Sequence, residues 1–241
     1  GMESVVAGST RARNLGAIGA ATVAGAIVGH QIAKHGPDTQ IPAEHAGLPR
    51  FTLVRNPWDW HVSWYHYLAG SGRPEDHRDR VRAMNPWFVD VSENFTAGFA
   101  TTIRRLYDPG LARTFPVGSV MRTAANAGVD LLTLHLRRQT AASRAAGRLT
   151  MARFENLRAD FHNFLAWHDV PLSDRFRHDL FERPPVNRSS RSRYQDYYDE
   201  GLRDLIAHYA ATTIAEYVYA FGDDGDQPHQ ADPAANPQEP D

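Results

Sequence analysis

Apolar and polar positions alternate regularly in several stretches of the chain. Phe51-Thr52-Leu53-Val54, bounded by Pro49, is a short apolar run that predicts a strand. Asn56-Pro57 then opens a helix. Asn is a good N-cap, Pro is favoured at the first helical position, and Asp59 sits near the positive helix end. This helix runs to about Leu68, with Gly70 and Gly72 beyond its end. Leu149 to Phe154 predicts a second strand. Asn156 to His168 predicts a helix, with Leu157, Phe161, Phe164 and Leu165 at spacings of three and four. A last long helix starts near Asp199 and Glu200. Its apolar stripe of Leu202, Leu205, Ile206, Tyr209, Ile214, Tyr217, Val218 and Phe221 packs on the core and ends at Gly222. Asn85 to Ala142 reads as irregular and helical pieces. Leu15 to Gly29 is the longest apolar stretch, rich in Gly and Ala, and reads as a buried helix after a short strand at Val5-Val6. Arg11 and Arg13 before it fit a secretory-signal pattern as well, but the run is too short to span a membrane and no clear cleavage site follows. A cytoplasmic protein is the expectation.

Strands followed by helices imply an α/β fold with a parallel sheet. In such sheets ligands bind at the C-terminal ends of the strands. Arg55 is the last residue of a strand, and Ser63 lies two turns into the helix that follows. Residues 1–222 are expected to form one domain. Residues 223–241 are polar, Pro-rich and without an apolar face, so they read as a disordered acidic tail.

Charge sharpens this division. The 241 residues hold 26 basic and 28 acidic side chains, a net charge of −2. The tail carries six of the acids and no Arg or Lys, which leaves the remainder at +4. A mild basic excess suits a small anionic ligand better than nucleic acid. Lys34 is the single lysine, and every other basic residue is arginine. A GC-rich genome would produce that bias, and so would anion recognition by guanidinium forks. There is no cysteine, hence no disulfide framework, thiolate zinc site or cysteine nucleophile. The histidines lack metal-ligand spacing, and no metal is expected. Trp58, Trp60, Trp64, Tyr65 and Tyr67 read as core or as walls of a ligand site rather than a stacking platform for bases.

The segment Val54-Arg55-Asn56-Pro57-Trp58-Asp59-Trp60-His61-Val62-Ser63-Trp64-Tyr65 resembles the 3′-phosphate-binding segment of the sulfotransferase superfamily, a strand ending in V-R-N-P followed by D-x-x-x-S-x-Y on a helix. A strand-end Arg and a helical Ser would converge on one phosphate, one supplying a charge-assisted contact and the other a hydroxyl donor. Arg153-Phe154-Glu155-Asn156-Leu157 with Asp160-Phe161 is similar to the superfamily's Y/F-E-[DN]-L segment. Asn187-Arg188-Ser189-Ser190, followed by Tyr194, Tyr197, Tyr198 and Asp199, is similar to the stretch before its last helix. Arg188, Arg191 and Arg193 there are candidates to reach the 3′-phosphate. The resemblance spans roughly residues 28 to 222, in order. It implies a P-loop-like three-layer domain with a central parallel sheet flanked by helices. The donor it implies is 3′-phosphoadenosine 5′-phosphosulfate, with 3′,5′-adenosine bisphosphate as product. The branch it points to is the bacterial, carbohydrate-sulfotransferase-like one, without nucleic-acid or membrane-spanning partners.

The chain departs from this pattern at the first loop. The superfamily carries P-K-x-G-[GT]-[ST], whereas this chain has Ala7-Gly8-Ser9-Thr10-Arg11-Ala12-Arg13-Asn14, with no Pro and no Lys. Ser9, Thr10, Arg11 and Arg13 are the candidates for the 5′-phosphosulfate. No G-x-x-x-x-G-K-[ST] occurs, which argues against an ordinary P-loop ATPase. Lys34-His35-Gly36-Pro37 stands where related sequences carry K-H-x-[TP]. His35 is the candidate general base, with His30 second, and Lys34 is a candidate for the leaving-group charge.

The resulting expectation is transfer of a sulfuryl group to a hydroxyl of a small-molecule or carbohydrate acceptor. A ligand-binding protein without turnover on the same fold is the rival reading, motivated by the altered loop. A phosphotransferase of the P-loop-like group and a helical nucleic-acid-binding protein follow.

Overall fold

The computed structural model describes residues 47–69, 79, 81, 83, 87–89, 94–183 and 192–223. Strand β1 (Arg50–Val54) is followed by helix α1 (Pro57–Ala69). Helices α2 (Phe95–Leu106), the single turn α3 (Pro109–Ala112), α4 (Val120–Ala127) and α5 (Leu131–Ala145) come next. Strand β2 (Leu149–Arg153) leads through a 3₁₀ turn (Phe154–Asn156) into α6 (Leu157–Trp167) and then α7 (Asp174–Glu182). A second 3₁₀ turn (Tyr194–Tyr197) precedes α8 (Glu200–Tyr209) and α9 (Ala211–Tyr217). The described part is thus mostly helical, around a small parallel sheet.

β1 and β2 pair in parallel along their whole length, from Arg50 opposite Leu149 to Val54 opposite Arg153. Full pairing leaves no room for a strand between them, and it brings both C-terminal ends to the same level. Arg55 and Phe154 therefore emerge side by side. One face of the sheet meets α6, where the Phe51 ring lies 5.2 Å from that of Phe161 and 5.1 Å from that of Phe164. Ala152 and Leu165 complete this smaller cluster. The larger core contains Val54 together with residues of α1, α2, α5 and α8, among them Tyr65, Phe99, Ile103, Leu202 and Ile206.

α1 runs through the middle of that core. Pro57, Trp58, Trp60, His61, Val62, Tyr65 and Ala69 are buried, so the helix is enclosed on most sides. Asp59 and Ser63, four residues apart, remain on its half-open stripe. The expected helix end near Leu68 and the expected elements 51–54, 149–154 and 156–168 are all present, with the last beginning as a 3₁₀ turn.

The last helix is not continuous. The apolar stripe predicted one helix to Phe221, but it breaks at Ala210 into α8 and α9. The reason is a competing partner: the Tyr209 carbonyl accepts from Asp130 N–H at 2.9 Å, the residue that caps α5. Thr213 is then drawn into the core, its hydroxyl 2.6 Å from that of Thr133. Val218 and Gly222 both have positive φ, at 52° and 92°, and turn the chain back toward β1. Asp223, first residue of the acidic stretch, is held by Arg153 and so belongs to the folded part. The strand at Val5-Val6, the helix over Leu15 to Gly29 and the rest of the acidic tail lie outside the described residues. No helix among the described residues is long and apolar enough to cross a membrane.

Asn56 ties the two ends of this arrangement together. It is 1% exposed. Its Oδ1 accepts from Trp58 N–H at 3.1 Å and caps α1. Its Nδ2 donates toward the carbonyls of Ala220 at 3.2 Å and Asp223 at 3.4 Å and toward the Tyr194 hydroxyl at 3.4 Å. Asn56→Ala removes the cap and leaves buried acceptors without a donor. It should lower unfolding stability by about 2–4 kcal/mol, read as a drop in the urea midpoint at constant slope. Asn56→Asp keeps the cap and should still lose part of that stability, because the donor is gone.

Candidate functional site

Arg55, Asp59 and Ser63 form a line where β1 hands over to α1. The Arg55 Nη1 donates to Ser63 Oγ at 3.1 Å. Its Nε and Nη2 both reach Asp59 Oδ2, each at 2.5 Å. The guanidinium lies over the Phe154 ring, 4.8 Å from its centroid. Phe154 is delivered there by the level strand ends. Arg55 is thus oriented on three sides, by a carboxylate, a hydroxyl and an aromatic face. Its side chain keeps 23% of its exposure. Ser63 accepts from Arg55, so its own hydroxyl proton is available for an anion. The pair can present a cation and a hydroxyl donor to one phosphate or sulfate group, with Asp59 competing for the cation.

The strand ends are locked together beneath this line. Asn56 N–H donates to Glu155 Oε1 at 2.9 Å. The other carboxylate oxygen, Oε2, accepts from the Tyr219 hydroxyl at 3.0 Å. Burial, reinforced by the Glu155 charge, pushes the Tyr219 hydroxyl far above its ordinary pKa, so it remains a donor. The Arg153 guanidinium covers the Tyr219 ring at 4.3 Å and pairs with Asp223. Gly222 N–H donates to the Tyr194 hydroxyl at 2.6 Å.

The opposite face of α1 is closed by His61, fully buried. Its Nδ1 is 2.7 Å from the Pro57 carbonyl, and its Nε2 is 2.7 Å from the Tyr107 hydroxyl. A carbonyl only accepts, so Nδ1 carries the proton and Nε2 accepts from Tyr107. Burial pulls this imidazole down to about 4, and it stays neutral. Burial and the nearby Asp130 charge push the Tyr107 hydroxyl well above its ordinary value. Asp130 is buried too. Its Oδ1 accepts from Thr133 N–H at 2.8 Å, and its Oδ2 has no hydrogen-bond partner among the described residues. Burial raises this carboxyl to about 6.

Of the residues singled out by sequence, Arg55 and Ser63 are brought together. Arg193 is exposed at the start of the 3₁₀ turn Tyr194–Tyr197, which packs on α1 through Tyr197 and His66, whose hydroxyl and Nε2 are 2.8 Å apart. No hydrogen bond or ion pair joins Arg193 to the Arg55–Ser63 line. Ser9, Thr10, Arg11, Arg13, His30, Lys34, His35, Arg188 and Arg191 lie outside the described residues. Trp58, Trp60 and Tyr65 are core. Trp64 stacks between Trp60 and Trp87, with centroids 5.7 and 5.3 Å away. Sequence reasoning missed Asp59 as the partner of Arg55, for which a four-residue spacing of opposite charges was the available signal. It also missed Glu155 as the acceptor of Asn56 N–H, which only the parallel register reveals. Neither Arg55 nor Ser63 lines the cavity between Tyr107 and Arg122 or the one beside Tyr197 and Asp199.

The buried titratable pair gives a pH test. His61 has its folded pKa depressed, so its neutral burial costs stability as pH falls from about 6.5 to about 4. Asp130 has its folded pKa raised, so its burial costs stability as pH rises from about 4 to about 6. The two trends oppose each other in the same window. Asp130→Asn keeps an N-cap but cannot ionise. Its stability relative to wild type should therefore improve by about 3 kcal/mol between pH 4 and pH 8. Denaturant midpoints across that range measure this, and a difference independent of pH contradicts the assignment. No family model, curated protein or solved structure matches the chain.

Proposed function

We propose that the chain is a sulfotransferase on a P-loop-like three-layer α/β domain. It transfers the sulfuryl group of 3′-phosphoadenosine 5′-phosphosulfate to an acceptor hydroxyl, of which a carbohydrate hydroxyl is the first choice. The observation that carries this reading is the contact of Arg55 Nη1 with Ser63 Oγ at 3.1 Å, at the level C-terminal ends of two parallel strands. That is the place and the pair of groups a 3′-phosphate needs. The segment Arg153–Leu157, similar to the superfamily's second motif, falls beside it across the sheet, with Glu155 accepting from Asn56 N–H.

In this reading Arg55 and Ser63 bind the 3′-phosphate, with Arg193, Arg188 and Arg191 as further cations. Ser9, Thr10, Arg11 and Arg13 take the 5′ side, and Lys34 supports the leaving charge. The sulfur–oxygen bond to the donor's 5′-phosphate breaks as a bond from sulfur to the acceptor oxygen forms. The acceptor proton passes to His35. The leaving group departs as 3′,5′-adenosine bisphosphate. Positioning and charge stabilisation supply most of the acceleration, as in phosphoryl transfer. The second reading, a binding protein without turnover, is favoured by Asp59, which already occupies Arg55, and by the lysine-free first loop.

Thermal unfolding with 3′,5′-adenosine bisphosphate tests the site. At about one hundred times Kd the ligand should stabilise the fold by about 2.7 kcal/mol, a rise of roughly 5–10 °C. Arg55→Ala should abolish the rise, and Ser63→Ala should weaken affinity by about tenfold. No rise at saturation, or an equal rise in Arg55→Ala, refutes the 3′-phosphate assignment. Stabilisation by ATP with Mg²⁺ but not by the bisphosphate would favour a phosphotransferase. Binding without turnover across acceptors would select the second reading.

A further inference from the structure

We propose that the cavity between Tyr107, Tyr209 and the α3–α4 region is a binding site for a small organic acid, a carboxylate on a single-ring apolar body. The cavity measures about 170 Å³ and is lined by Tyr107, Tyr209, Ala125, Asn126, Arg113 and Arg122, among others. A cavity of about 150 Å³ accommodates a benzene ring, so this one has room for a ring and a carboxylate.

Its floor is aromatic and rigid. The rings of Tyr107 and Tyr209 stack with centroids 4.5 Å apart and planes 24° apart. The Tyr209 hydroxyl donates to the Tyr107 carbonyl at 3.2 Å, and the Tyr107 hydroxyl is engaged by His61. The floor therefore offers ring surface, which suits an apolar body. Its cationic side is equally specific. Arg122 is half-buried, and its Nη1 donates to the carbonyls of Arg113 at 3.0 Å and Phe115 at 3.1 Å. Those bonds fix the guanidinium and use one of its nitrogens. Among the described residues its Nε and Nη2 make no hydrogen bond, and no carboxylate pairs with it or with the Arg113 side chain. Asp108, the acid nearest to Arg113 along the chain, caps α3, where Oδ1 accepts from Gly110 and Leu111 N–H at 2.6 and 3.2 Å.

Arg113 and Arg122 both line the cavity, and among the described residues neither pairs with a carboxylate, so this side of the cavity carries uncompensated positive charge. An ionised carboxylate balances that charge with the matching fork geometry, and the Asn126 amide can add a further donor. Inorganic anions would leave the aromatic floor uncovered, and neutral rings would leave both cations unmet. The site is independent of the sulfotransferase reading, because none of its residues belongs to the Arg55–Ser63 line.

Benzoate is the probe, with benzyl alcohol as its neutral counterpart and phenyl sulfate as a second anion. Titration of the wild-type chain, followed by tyrosine-ring NMR shifts and calorimetry, should show saturable benzoate binding at least about tenfold tighter than benzyl alcohol. Arg113→Gln alters an exposed side chain that makes no hydrogen bond among the described residues, and should weaken benzoate by about tenfold while leaving the melting temperature unchanged. Ala125→Leu should fill the cavity and abolish binding. Arg55→Ala should leave benzoate affinity as in wild type, even where it destroys bisphosphate binding. Absence of benzoate binding overturns the proposal. So does equal affinity for benzyl alcohol, or wild-type benzoate affinity in both Arg113→Gln and Ala125→Leu. Phenyl sulfate binding in place of benzoate overturns the carboxylate assignment.

Discussion

The parallel register of two five-residue strands is the constraint on which the described structure depends. Pairing Val54 with Arg153 makes both strands stop at one level. Whatever follows each strand must then share one small space. Arg55 meets Phe154, and Asn56 N–H meets the Glu155 carboxylate. A slip of the register by one residue would turn every strand side chain to the other face, take Phe51 and Val54 out of the clusters they fill, and separate these pairs. The buried amide of Asn56 then spreads the constraint outward, because it caps α1 and also holds the backbone at Ala220 and Asp223. The Arg55 guanidinium is thus oriented by Asp59 and Ser63 on the adjoining helix and by Phe154 from the second strand end, over a backbone that Asn56 holds in place.

Local signals were legible where they coincided with what the fold required. Asn56-Pro57 is a helix start in any context, and the Gly/Pro boundaries and β-type run around Phe51 to Val54 admit little else. The break at Ala210 was not legible, since the apolar stripe from Leu202 to Phe221 has helical periodicity throughout. What interrupts it is a backbone N–H from Asp130, about eighty residues earlier, competing for the Tyr209 carbonyl. Competition of that kind leaves no trace in local spacing. The same holds for the site. Arg55 and Ser63 were singled out by the resemblance of their segment, and their places at a strand end and two turns into the next helix agreed with it. Asp59 read as a helix-dipole residue, because only the geometry shows its carboxylate turned back onto Arg55.

α1 separates two chemically different regions. Its half-open stripe carries Asp59 and Ser63, where charge is partly solvated. Its buried face carries His61, kept neutral by burial and fixed in one tautomer by the Pro57 carbonyl and the Tyr107 hydroxyl. Tyr107 carries the position of α1 to the stacked Tyr209, whose carbonyl accepts from Asp130 N–H, and the second carboxylate oxygen of Asp130 has no hydrogen-bond partner among the described residues. A buried acceptor in that condition is costly, and it persists where capping α5 and stopping α8 both depend on the same residue.

The arginine bias can be judged residue by residue once partners are known. Arg55, Arg104, Arg144 and Arg153 face Asp59, Asp199, Glu216 and Asp223 in turn, and their charges serve the fold at least in part. Arg158 satisfies the carbonyls of Phe181 and Arg183 at the end of α7. A genomic preference for arginine over lysine explains side chains of this kind without any ligand. It does not explain a guanidinium that is held by backbone carbonyls beside a cavity and has no carboxylate partner among the described residues. Arg122, with Arg113 beside it, is in that position. Arg55 is intermediate, since its acid is present and it also donates to the Ser63 hydroxyl oxygen. The bias is therefore one feature with two physical contents, and only the accounting of partners separates them.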